Sequence, residues 1–99
     1  MKNPIEEFNK VFDNQLRLGI MSSLMVKDEL SFNELKELFE TTDGNLATHL
    51  KKLEEAEYIN IVKTFFNKKP LTVYSTSKLG KQAFKQHINA LEKMIKKLK

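Results

Sequence analysis

Residues 42–59, TDGNLATHLKKLEEAEYI, form the stretch whose reading decides the fold. Leu46, Leu50 and Leu53 recur at i, i+4 and i+7, so at about 100° per residue they fall in one narrow stripe of a helix. That stripe is the side to be buried. Gly44, Asn45, Thr48, Lys51 and Lys52 then project from the opposite face, a set of small, hydrogen-bonding and cationic groups suited to a DNA groove and its phosphates. Thr42 is the expected N-cap, and Asp43 is favourable near the positive end of the helix dipole.

The flanking segments supply the rest of a unit. Upstream, residues 31–39 (SFNELKELF) read as a second short helix with a Ser or Asn N-cap and with Leu35, Leu38 and Phe39 on one face. Only Glu40, Thr41 and Thr42 separate the two helices, which makes residues 31–56 a helix-turn-helix. Downstream, Tyr58 to Phe66 is rich in β-branched and aromatic residues, residues 67–70 (NKKP) read as a turn with two adjacent cations, and residues 71–76 (LTVYST) are strand-like again. A helix-turn-helix followed by a hairpin with a basic tip is a winged helix. Lys68 and Lys69 of the wing, residues 58–76, are expected on phosphates.

The chain resembles the small bacterial winged-helix transcriptional regulators related to the MarR and ArsR groups. The likeness is carried by residues 17–22 (RLGIMS), by residues 42–50 (TDGNLATHL) with Leu53 and Glu54, and by Lys69, Pro70, Thr72 and Tyr74 of the wing. Gly80 and Phe84 extend it, so that it runs from about Phe12 to Leu91. One departure is Glu57, where such sequences often carry the glycine that suits a left-handed helix end. The resemblance implies DNA binding by a homodimer whose terminal helices supply the interface. It also places Arg17, the only arginine, at the opening of the first core helix, close to the DNA backbone. An intramolecular ion pair with Asp13 or Asp28 is the competing expectation for Arg17.

Composition fits a single domain spanning residues 1–99, mainly α with a small β-hairpin, an α+β chain of ordinary hydrophobic and charged content. There is no cysteine, which removes disulfides, thiolate ligands and cysteine nucleophiles together and makes a cytoplasmic chain the default. No signal peptide is read at residues 1–4 (MKNP), and no apolar run approaches the roughly 18 residues needed to cross a bilayer, so no membrane partner is expected. Charge is unevenly spread. Residues 1–40 hold 5 Lys or Arg against 8 Asp or Glu, a balance of −3, whereas residues 41–99 hold 12 against 5, a balance of +7. The basic half carries the elements read as DNA-facing, and a cationic surface attracts a polyanion irrespective of sequence. The six lysines Lys78, Lys81, Lys85, Lys93, Lys96 and Lys97 of the last helix are read instead as its solvated face.

The two ends carry a different pattern. From Ser77, an expected N-cap, a helix over residues 78–98 places Phe84, Ile88, Leu91, Ile95 and Leu98 at spacings of 4, 3, 4 and 3, a short a/d seam. Residues 1–27 are read as N-terminal helices, with Ile5, Phe8, Val11, Phe12, Leu16, Ile20 and Leu24 in a helical apolar pattern broken near Asp13 and Asn14. More surface is apolar than one small core needs. The expected homodimer interface is therefore Phe8, Phe12, Phe84, Ile88, Leu91, Ile95 and Leu98.

Catalytic and metal chemistry find no support. His49 lies about 60° from the leucine stripe and is read as packed or phosphate-bonding, and His87 stands among lysines. Two histidines without cysteine cannot assemble a thiolate metal site, no HExxH-like spacing occurs, and Glu34, Glu37 and Glu40 read as solvated. No catalytic residue, metal or cofactor is expected, and the sequence specifies neither an effector nor an operator. Two functions remain. One is a sequence-specific, homodimeric DNA-binding regulator acting on an inverted repeat of double-stranded DNA, with Arg17, Thr42, Asp43, Gly44, Asn45, Thr48, Lys51, Lys52, Lys68 and Lys69 as its contacts. The other is a winged helix used as a protein-interaction module, which should carry apolar side chains where Gly44, Asn45, Thr48 and Lys52 stand.

Overall fold

The computed structural model describes residues 3–97. Three asparagines organise its N-terminal segment. Asn3 caps a 3-10 turn over Pro4–Glu7, Asn9 caps a second over Lys10–Phe12, and Asn14 caps helix α1, Gln15–Val26, by accepting from the amide of Arg17 at 3.0 Å. Asparagine side chains compete with the backbone for its own donors, so of the segment expected to form helices broken near Asp13 and Asn14, the part before the break makes only 3-10 turns and α-helix runs from Gln15. Before that point the chain folds back along the last helix, with Glu7 on Lys93 at 3.1 Å.

Strand β1, Leu30–Ser31, is an element that the sequence reading did not contain. Ser31 serves twice, as a strand residue and as the N-cap of helix α2, Phe32–Phe39, where its hydroxyl and the carboxylate of Glu34 form a reciprocal capping box. Leu35 is fully buried and Phe39 half-buried, but Leu38 is 57% exposed, contrary to the expected shared face. In so short a helix the direction of the core lies on the Phe39 side of Leu35. Glu40 then ends α2 in a left-handed conformation, and after Thr41 helix α3, Asp43–Glu55, begins at its cap Thr42.

Helix α3 buries Leu46, Leu50 and Leu53 as their spacing requires. It closes in a Schellman arrangement, Tyr58 N–H to the Leu53 carbonyl at 3.0 Å and Glu57 N–H to the Glu54 carbonyl at 2.8 Å, with Glu57 itself at φ 63°. The position that glycine usually fills is thus left-handed here as well. Strands β2, Ile59–Phe66, and β3, Lys69–Thr76, follow, paired in register from Ile59 with Thr76 to Phe66 with Lys69. The connecting loop is only Asn67 and Lys68, both at positive φ as a type I′ turn demands. Lys69 and Pro70 therefore belong to the strand and not to the turn. β1 pairs with β3 on its other side, Leu30 with Tyr74, to give an antiparallel sheet of order β1-β3-β2.

Helix α4, Lys78–Lys97, is about 30 Å long at 1.5 Å per residue. Ser77 joins it to the base of the wing, donating to the Glu57 carbonyl at 2.7 Å and accepting from Gly80 N–H at 2.9 Å. Gly80 lies so close to the chain that a Cβ there would sit 2.0 Å from the Tyr58 carbonyl oxygen. The core lies between α1, α3, the sheet and the first half of α4. Phe12 and Phe84, expected at a dimer interface, are 3% and 8% exposed within this single chain and pack edge to face, their centroids 5.5 Å apart. They complete the chain's own core because the 3-10 turns, unlike a continuous helix, turn Phe12 inward. The molecule measures 55 × 25 × 22 Å.

Candidate nucleic-acid interface

Helix α3 is held from behind by its leucines, and every residue from Asp43 to Asn45, with Thr48, Lys51 and Lys52, is exposed on its front. Local hydrogen bonds fix the orientation of that front. Thr42 Oγ1 accepts from Asn45 N–H at 3.1 Å, Asn45 Nδ2 donates to Thr41 Oγ1 at 2.8 Å, and the Thr48 hydroxyl donates to the Gly44 carbonyl at 2.8 Å. Asn45 keeps its side-chain carbonyl, and Thr48 its methyl group and oxygen lone pairs, for a ligand. Asp43 has a different engagement, an ion pair with Lys36 of α2 at 2.8 Å that ties the two helices of the helix-turn-helix together.

Gly44 is informative for what surrounds it. Apart from its chain neighbours and the backbone of its own helix, no atom lies within 4 Å of the position that a Cβ would take, and its φ is not positive. Neither packing nor backbone conformation in this chain requires glycine there, although glycine weakens a helix by roughly 0.5–1 kcal/mol relative to alanine.

Arg17 does not form the ion pair with Asp13 or Asp28 that was weighed from the sequence. Its Nε donates to the Val11 carbonyl at 2.6 Å and its Nη1 contacts His49 Nδ1 at 2.8 Å, and the ion pairs among the described residues do not include it. Guanidinium can only donate, so His49 Nδ1 accepts and the neutral ring carries its proton on Nε2. Burial, then the charges of Arg17 and Lys52, lower the pKa of His49 below the ordinary 6.5, consistent with that neutral form. Arg17 thus links the N-terminal segment, α1 and α3.

The wing carries Lys63, Lys68 and Lys69 and no acidic residue anywhere in residues 58–76, all three lysines being exposed. Lys68 is at the turn and Lys69 opposite Phe66. Lys63, on β2, was not singled out in the sequence because it sits in a run read only for its β-propensity.

At the other end of the molecule, the residues expected at a dimer interface separate. Phe12 and Phe84 are internal. Phe8, Ile88 and Leu91 are half-buried, Ile95 is exposed, and Leu98 lies outside the described residues. Ile5, Phe8 and Leu91 line a cleft of about 360 Å³ between the N-terminal turns and α4. His87, read as standing among lysines, is buried at its floor. Its Nδ1 accepts from Asn9 N–H at 3.1 Å and its ring meets those of Phe8 and Phe12 at 5.6 and 5.3 Å. Burial holds its pKa below 6.5, with Asp13 opposing. Its place between Phe84 and Leu91 on one helix face was the available signal.

Among the described residues no group of histidines, cysteines and carboxylates could hold a metal ion, and no helix is long and apolar enough to cross a membrane. The sequence profile of the winged helix DNA-binding domain matches residues 16–95. An uncharacterized protein of Methanocaldococcus jannaschii, MJ0432, is 34% identical over 89 residues, covering 90% of this chain and 97% of that one. Among solved structures, a transcriptional regulator homologue from Pyrococcus horikoshii superposes with a TM-score of 0.84 at 27% identity, over 91% of this chain and 89% of its own. Bacillus subtilis PadR in complex with operator DNA superposes with a TM-score of 0.67 at 23% identity, over 76% of this chain and 48% of its own. By sequence profile and by the geometry of its helix-turn-helix and wing, the chain belongs to the winged helix DNA-binding domain family.

Proposed function

We propose that this protein is a sequence-specific transcriptional regulator that binds an inverted repeat of double-stranded DNA as a homodimer. The observation that carries the reading is helix α3, anchored by three buried leucines and offering on its front small, polar and cationic side chains, its one carboxylate there, Asp43, being paired with Lys36. In the major groove, Asn45 and Thr48 would meet base edges, Lys51 and Lys52 the flanking phosphates, and the N-terminal turn at Thr42, Asp43 and Gly44 would approach the backbone. The wing lysines Lys68 and Lys69 would lie on phosphate beside that groove. Arg17 would act from behind, by holding His49 and hence α3 in register, and its Nη2 is without a protein partner among the described residues. A protein-docking module would need apolar groups on the α3 front, and none of its exposed residues there is a large hydrophobe.

Support for a dimer comes from the far end of α4. Ile5 and Ile95 are exposed, Phe8, Ile88 and Leu91 are half-buried, and no described residue of the helix beyond Ala90 is buried. An isologous pairing there would set two copies of α3 about one DNA turn apart, roughly 34 Å, which an inverted repeat matches. Duplexes enriched from a random-sequence pool on the protein should contain such a repeat and bind two chains by sedimentation equilibrium. Asn45→Ala or Thr48→Ala should cost about 1–3 kcal/mol on that site and little on unrelated DNA. Equal losses on both DNAs, or enrichment of no sequence, would overturn base recognition by α3.

A further inference from the structure

Phe65 and Phe66 are 73% and 66% exposed at the end of β2, the first paired with Pro70 and the second with Lys69. The outermost pair of the hairpin with a buried member, half-buried Ile61 with buried Tyr74, lies five residues before Phe66, about 17 Å at the rise of a strand. The chain's core gains nothing from these rings. Nor does the turn need them, since Asn67 and Lys68 supply its positive φ angles. Two bare aromatic rings on an edge strand are instead an aggregation hazard, kept in check here by Lys63, Lys68 and Lys69.

We propose that Phe65 and Phe66 form an apolar wedge that enters the DNA groove beside the one occupied by α3 and packs against base faces. An aromatic pair surrounded by cations, in a hairpin without a single carboxylate, matches a polyanion whose interior is flat and apolar. The three lysines neutralise the phosphates that a ring must pass, and the two-residue turn holds both rings at the tip. As neighbours on a strand they point to opposite sides, Phe65 with Ile59 and Ile61 toward the helical body and Phe66 with Val62 away from it. A tip inserted edge-on presents one ring to each flank of the groove. Specificity would then arise from the ease with which a base step opens, in addition to hydrogen bonds made by α3.

This inference rests on the reading of the protein as a DNA binder, and the test separates the two. Wild type, Phe65→Ala, Phe66→Ala, the double alanine variant and Lys68→Ala/Lys69→Ala are titrated by fluorescence anisotropy, across a salt series, onto a duplex enriched on the wild-type protein. The same duplex carrying 2-aminopurine at steps flanking the α3 contacts reports unstacking. The double Phe variant should bind about tenfold more weakly with an unchanged salt slope, because stacking releases no counterions. Wild type, but not that variant, should raise the 2-aminopurine emission. A double Phe variant that keeps circular dichroism, affinity and emission at wild-type levels overturns the wedge while leaving DNA binding in place. Wild type enriching no duplex overturns both readings. Binding of wild type, lost in the double variant, to phosphatidylserine vesicles in preference to DNA would assign the rings to a lipid surface and overturn the wedge.

Discussion

Helix α3 and the wing hairpin would face the same duplex, yet they are held by opposite means. α3 has three leucines fully or almost fully buried, so its direction is set by the core and its front follows. The hairpin contributes Ile59, Tyr74 and Thr76 to the interior at its base, and no residue from Val62 to Val73 is buried. Its outer half stands on a backbone ladder and a two-residue turn alone. Side chains of the wing can therefore change binding without changing the fold, whereas the back of α3 cannot be touched without loosening the whole domain.

The sharpest way to break this comparison is at the point where the wing joins the core. Gly80→Ala drives a methyl group against the backbone carbonyl of Tyr58, which no side-chain rotation relieves, and should cost about 3 kcal/mol or more in urea denaturation. A loss below about 1 kcal/mol would show that the base of the hairpin is free to shift and that the wing is not clamped as its close packing indicates.

Farther out, the effect should move from stability to binding. Lys68→Ala together with Lys69→Ala should leave the denaturation midpoint where it is and lower the salt-dependence slope of DNA binding by roughly one to two units, since each phosphate contact contributes about 0.9. An unchanged slope would take the wing off the DNA. The smallest effect is expected at Gly44 on the front of α3, where the two properties should part company. Gly44→Ala adds a methyl group in open space at the first turn of a helix and should stabilise the fold by about 0.5 kcal/mol, as seen in urea denaturation, while weakening operator binding because the backbone can no longer approach as closely. Tighter binding by that variant would remove Gly44 from the interface.

The parts of the fold that were readable in the sequence are those governed by near neighbours. The leucine spacing of α3, the Ser31 and Thr42 caps, the β-branched character of the wing and the polarity of Gly44, Asn45, Thr48 and Lys52 all follow from local periodicity and side-chain chemistry. What was misread depends on partners distant in sequence. Phe12 and Phe84 have apolar neighbours in each other, 72 residues apart, so spacing within either segment could not say whether they faced their own chain or a second one. His87 and Asn9 find each other across 78 residues, and Arg17 finds His49 across 32.

Sequence alone thus determined a winged helix whose α3 carries a polar, exposed front, because caps, turns and amphipathic stripes are written in contiguous residues. Only the tertiary structure decided which apolar residues the core consumes and which polar groups it turns into struts. A single buried volume is filled by whichever rings reach it first in three dimensions. The 3-10 turns after Asn3 and Asn9 bring Phe12 to that volume and leave Ile5 outside. β1 exists for the same reason: two residues, Leu30 and Ser31, are strand only because the edge of β3 lies beside them with unpaired backbone groups to satisfy.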